Sequence, residues 1–162
     1  MKNKKIIYTF FLLVILYACD HGIAPKPTQT GISGTIYYKN WPPLEQILML
    51  KLVVFREYPP ENIVEEVTSG RAIFYPEDLT TSLPLDVDST FFFVEMDTGN
   101  YEYIVVAQQY GTLTQWLAVG QYDTTPSDPM PTGITVYQDE ILSDINIYVD
   151  FDSLPIQPFK VP

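Results

Sequence analysis

Cys19 and His21 are the only thiol and the only imidazole in the 162-residue chain, and both lie near its start. A Ser-His-Asp or Cys-His catalytic set, or a zinc site built on His or Cys, would need such groups inside the folded part, where the sequence supplies none. Carboxylates are plentiful, at twenty Asp plus Glu. Two of them about 5–10 Å apart would suffice for an all-acid glycosidase, but coincidental pairs are inevitable at this density, and edge carboxylates commonly serve solubility. Calcium is the better-motivated ligand. Asp86-x-Asp88 and Asp150-x-Asp152 each set two carboxylates on one side of an extended segment, and Asp123 and Asp128 share a loop able to add carbonyl oxygens. No EF-hand loop accompanies them. The expectation is no cofactor, with calcium the one candidate ion, and no enzyme, with a carboxylate-type hydrolase as the rival.

Aromatic side chains offer a different chemistry, stacking on sugar rings and anchoring protein interfaces. Twelve Tyr and two Trp exceed what one small core can hold, although Tyr is also favoured in strands for its packing alone. Trp41, Tyr58 and Tyr122, in or beside Pro-rich stretches, are the expected exposed aromatics. A sheet face or loop rim carrying several such rings would suit a glycan or protein ligand.

Cys19 is placed by what precedes it. Lys2, Lys4 and Lys5 form a basic head, and Ile6 to Ala18 form an apolar run of thirteen residues interrupted only by Thr9, the layout of a secretory signal. A membrane span needs about 20 apolar residues, so this run is short for one. Leu16-Tyr17-Ala18-Cys19 resembles the lipobox of bacterial lipoproteins, with Tyr17 standing where a small or aliphatic residue is usual. The resemblance implies a diacylglyceryl group on the Cys19 thiol and cleavage between Ala18 and Cys19. Acyl chains such as palmitate bury about 0.8 kcal/mol per CH₂, and two or three of them hold a protein on a membrane durably. The implied address is the bacterial cell envelope, with the outer membrane expected and a periplasmic or surface-facing orientation. Removal of residues 1–18 takes three lysines and leaves six basic against twenty acidic residues, a formal charge of -14 in place of -11. Anionic headgroups repel such a domain, so the lipid must do the anchoring.

Residues 19–30 read as the lipidated cysteine and a flexible tether, which over eleven residues reaches at most about 36–40 Å. His21 is a linker side chain there. The chain is 46% hydrophobic and 14% aromatic, which excludes a disordered acidic chain. Nine Lys plus Arg leave no basic footprint for nucleic acid.

From Gly31 the signal is strand after strand. Residues 31–39 alternate Ile32, Gly34, Ile36 and Tyr38 against Ser33, Thr35 and Tyr37, the period of a half-buried strand. Residues 47–57 place Leu48, Leu50, Leu52 and Val54 on the expected core face, with Met49, Lys51, Val53 and Phe55 opposite. A helical turn after Pro60 would carry Ile63, Val64 and Val67. Segments 72–75 and 83–87 read as short edge strands. Residues 90–96 and 101–110 flank Asp97-Thr98-Gly99-Asn100 and read as a hairpin, its second strand central in a sheet. Strands over 113–119, 134–137 and 141–151 follow, around a Pro-rich loop over 120–132, and the Pro-rich tail over 153–162 is not expected to be ordered independently. Seven to nine short strands with no long helix predict an all-β domain over residues 31–152, a single β-sandwich.

Two stretches carry a family resemblance: Ile32-Ser33-Gly34-Thr35-Ile36, and Gly99-Asn100-Tyr101-Glu102-Tyr103-Ile104-Val105-Val106-Ala107. They are similar to the first strand and the G-x-Y-x-V-x-V strand of carboxypeptidase regulatory-like domains, which implies an Ig-like or transthyretin-like (prealbumin-like) sandwich. Asp97 stands where a Pro is usual, and residues 57–90 are longer than the family's usual connection. The functional expectation is a lipid-anchored, non-catalytic binding or structural module. The alternative is an accessory subunit of an envelope or secretion complex, displayed through an exposed edge strand.

Overall fold

A computed structural model describes residues 28–158 apart from 62, 126 and 129. Ala18, Cys19, His21 and most of the tether lie outside the described residues. The chain forms a β-sandwich. In order the elements are β1 (Gly31–Lys39), a 3-10 turn (Leu44–Gln46), β2 (Met49–Phe55), α1 (Ile63–Thr68), β3 (Ile73–Tyr75), β4 (Ser89–Glu95), β5 (Gly99–Tyr101), β6 (Tyr103–Gln109), β7 (Trp116–Gln121), β8 (Ile134–Val136), β9 (Ile141–Leu142) and β10 (Ile147–Asp150).

One sheet has the order β10-β1-β4, with β9 also pairing β1, and the other β3-β2-β6-β7; β5 and β8 form a separate ribbon. β1 runs antiparallel to β4 but parallel to β9 and β10. Where β9 stops and β10 has not begun, the Ile145 N–H donates to the Ser33 carbonyl and the Asn146 Oδ1 accepts the Thr35 N–H. This bridge passes so close to β1 that a Cβ at position 34 would stand 2.0 Å from the Ile145 carbonyl oxygen, so Gly34 is required there.

The main core lies between the sheets. Ile32, Ile36 and Phe92 face Leu50, Leu52, Val54, Ile104 and Val106, all at most 1% exposed. The alternation in β1 is as expected, with Ile32, Gly34, Ile36 and Tyr38 inside. β6 is central and buried along its whole length.

Four expectations are corrected. Leu48 is not core but 57% exposed, preceding β2 rather than lying within it. Its expected outer face is itself buried, because α1 and its flanks lay Ile63, Val67 and Tyr58 over Val53, Phe55, Tyr103 and Val105 in a second cluster; Asn62 and the Val64 side chain lie outside the described set. Residues 83–87 form no strand, although the Leu83 N–H donates to the Leu50 carbonyl and its side chain fills the main core. Finally, β4 and β6 are not a hairpin. They belong to opposite sheets, and the Asp97–Glu102 stretch crosses between them.

That crossing is held by Tyr101, whose hydroxyl donates to the Asp97 carbonyl four residues back at 2.9 Å while the Arg56 guanidinium covers its ring at 4.7 Å and donates to the Tyr101 hydroxyl oxygen. A tyrosine hydroxyl bonded back to the main chain a few residues upstream ties a corner between sheets. The tail also has a partner: Gln157 docks on β7.

Candidate functional aromatic face

Consecutive side chains in a strand point to opposite faces. Phe91, Phe92 and Phe93 must therefore divide, and Phe92 enters the core at 0% exposure while Phe91 stands outside at 68%. The register fixes the neighbours: Phe93 lies beside Ser33, Phe91 beside Thr35, and Ser89 beside Tyr37. On the other flank Tyr37 lies beside Tyr148. The two rings stack at 5.2 Å with 15° between their planes, and Tyr148 remains 70% exposed. Phe91, Tyr37 and Tyr148 thus cross three adjacent strands on one outer surface, with Ser89 and Thr35 as their neighbours on it. Lys39 and Asp150 close its upper end as an ion pair at 3.0 Å.

The opposite outer face, on the β3-β2-β6-β7 sheet, is covered by α1 and its flanks. Each sheet therefore has one face in the main core, but only the first leaves its other face bare. Exposed aromatics grouped on a strand surface are the composition of recognition sites.

The three rings singled out from the sequence are not among them. Trp41 is half-buried, tilted against Tyr38 and Phe151 with centroids 5.0 and 4.7 Å away, and its Nε1 donates to the Val87 carbonyl. Tyr58 packs edge-on against Tyr103. Tyr122 packs on the main core, and its N–H donates to the Ile104 carbonyl. All three are half-buried and packed against neighbouring rings or the main core, so none stands free as an exposed ring.

Three of the candidate calcium acids, Asp150, Asp123 and Asp128, are engaged by local partners. Asp150 takes the Asn40 amide at 2.8 Å, Lys39, and the Asp152 N–H, and the Asn40 and Lys39 bonds hold its carboxyl below the usual range. Asp123 and Asp128 accept N–H groups two residues on, from Thr125 and Met130. Asp86 adopts a left-handed backbone conformation with φ 56°. Among the described residues no three or more His, Cys, Asp or Glu converge as metal ligands.

Two buried polar groups belong to the scaffold. Lys51, 3% exposed, donates to the Pro76 and Asp78 carbonyls, and desolvation pushes its ammonium down against the opposing pull of Asp78. Tyr103 is fully buried with its hydroxyl unpartnered, and desolvation, with Tyr58 adding to it, raises the phenol far above its ordinary value.

No protein-family model, curated protein or solved structure matches the chain.

Proposed function

We propose that this chain is a lipid-anchored envelope protein whose sandwich is a non-catalytic binding module, taking a glycan or protein ligand on the aromatic outer face of the β10-β1-β4 sheet. The observation that carries this reading is the bare row of Phe91, Tyr37 and Tyr148, two of them about 70% exposed, beside a second sheet whose outer face is covered. Rings standing off a rigid sheet present contact area at little conformational cost. The lipobox-like Leu16-Tyr17-Ala18-Cys19 supports the anchor, and the resemblance of residues 31–151 to carboxypeptidase regulatory-like domains supports an accessory rather than catalytic role.

Charge narrows the ligand. Residues 28–158 hold four basic and nineteen acidic side chains, an excess of fifteen negative charges. All four cations are engaged: Lys39 by Asp150, Lys51 by two carbonyls, Arg56 by Tyr101, and Arg71 by Glu65 and Glu66. A neutral or cationic ligand suits such a surface, and an anionic one is repelled.

The test is a binding panel of neutral polysaccharides and envelope proteins against the wild type and a Phe91→Ala/Tyr148→Ala double variant. Binding lost in the variant at unchanged folding supports the reading. Binding equal in both overturns it. The envelope-complex alternative draws on a separate observation, the free edge of β4.

A further inference from the structure

Every sheet has two edges, and a soluble protein guards them. β3 is only three residues long. β7 is capped at Ala118 by Gln157, and Gly120 lies against β10, where a Cβ would meet the Val149 side chain at 2.7 Å. The ribbon strands β5 and β8 have three residues each. β4 differs, with seven residues, no proline, no lysine and no bulge.

The hydrogen-bond register shows which of its groups are free. The Tyr38 N–H donates to the Asp88 carbonyl, and the Met96 N–H to the Thr30 carbonyl. In an antiparallel pair bonded residues alternate with unbonded ones, so Thr90, Phe92 and Val94 also face β1. Ser89, Phe91, Phe93 and Glu95 turn their N–H and C=O groups to the open side, and no described residue bonds to them there. Their side chains are the same ones that form the aromatic face. Ladder donors, ladder acceptors and apolar anchors therefore share one border.

We infer that β4 accepts an extended, cationic segment of a partner protein by strand addition, laying alternate apolar side chains beside Phe91 and Phe93. This rests on reading the aromatic face as the binding surface and names its partner. The sign of the partner comes from the charges along the edge. Asp86 and Asp88 precede the upper end of β4, and Glu95 and Asp97 stand at its lower end. There a shallow open cleft of about 530 Å³, lined by Thr30, Ile73, Glu95, Met96, Asp97 and Gln138, contains no basic side chain. With all four cations of residues 28–158 engaged internally, residues 28–158 of a second copy would bring only like charge to this border. Strand addition draws affinity from the main-chain ladder and selectivity from alternate side chains and flanking charge.

The test uses the full mature chain and three synthetic peptides. The first has alternating threonine and valine with two lysines at each end; the second has glutamates at the ends; the third is the lysine peptide N-methylated at alternate residues. The lysine peptide should bind about tenfold or more tightly than the glutamate peptide at low salt, weakening as salt rises. It should slow amide exchange at Ser89, Phe91, Phe93 and Glu95, while Thr90, Phe92 and Val94 are already slow. N-methylation should abolish both effects without any change to the protein. Equal binding of the lysine and glutamate peptides, or no slowing at the four amides, overturns the inference. Slowing of the same amides with rising protein concentration alone assigns the edge to a second copy and also overturns it. If the peptides fail while a neutral oligosaccharide binds and depends on Phe91, strand addition falls and the face stands; if nothing in the panel binds, the face itself falls.

Discussion

The carboxamide of Gln157 holds both main-chain groups of Ala118, accepting its N–H at 2.8 Å and donating to its carbonyl at 2.9 Å. One side chain thus occupies the place of a neighbouring strand on β7. Residues 153–158 are consequently part of the domain, closing an edge that would otherwise compete with β4 for partners.

Substituting Gln157→Ala removes both bonds and leaves the Ala118 groups to water. The expected loss is about 1–3 kcal/mol, at a net 0.5–1.5 kcal/mol for each of the two hydrogen bonds. Denaturant unfolding measures the loss, and faster exchange of the Ala118 amide localises it. An unchanged midpoint and unchanged exchange would mean that the tail does not cap the strand.

Two tyrosines two residues apart should respond with opposite sign. Tyr101→Phe deletes the hydroxyl that ties the corner to Asp97 and should cost about 1 kcal/mol. Tyr103→Phe deletes a buried hydroxyl that has no partner and should leave stability unchanged or raise it by up to about 1 kcal/mol. Thermal and urea unfolding of both variants check this, and a destabilised Tyr103→Phe would show that its hydroxyl is in fact satisfied.

Asp150 sets a pH dependence. Its folded carboxyl is held below the ordinary 3.8 by bonds from Asn40 and Lys39, so the folded state binds its proton more weakly than the unfolded chain does. Its contribution is complete above the ordinary carboxylate value and disappears as pH falls through the lowered one. The stability gap between wild type and Asp150→Asn should be constant from pH 7 to 5 and close below pH 4. A gap that persists at pH 2 would assign it to packing instead.

How much of this was legible in the sequence depends on whether the cause was local. β1 read correctly because one of its faces is buried and the other open, which writes itself as alternation. β2 misleads because α1 and its flanks cover its outer face, a packing that alternation within the strand does not record, so Val53 and Phe55 are core despite their parity. The Asp97–Asn100 turn signal was real, but a turn sequence does not say whether its strands pair or change sheets; the bond from Tyr101 to Asp97 decides that. Tyr37 and Tyr148 were visible as aromatics in strands, yet only pairing with β1 makes them neighbours. Phe91 and Phe93 carry no separate mark within a run that reads only as one strand of a hairpin. The available signal was the run itself, since three consecutive Phe in a strand cannot share one face.

For the face, Phe91→Ala should change stability by no more than about 0.5 kcal/mol, because its ring is largely in water. Tyr148→Ala should cost up to about 1 kcal/mol through the stack on Tyr37. Calorimetry on both variants checks these limits. A larger loss at Phe91 would place that ring in a structural role.

The most direct test is photo-crosslinking in the cells that make the protein, with a benzophenone amino acid replacing Phe91 or Tyr148 and, as controls, Glu65 in α1 or the exposed Leu113. Benzophenone inserts into C–H bonds of sugars and peptides alike, so the readout does not presuppose the ligand. Discrete adducts at 91 and 148, and none at 65 and 113, are the expected result; no adduct at 91 and 148 would contradict the assignment of this face.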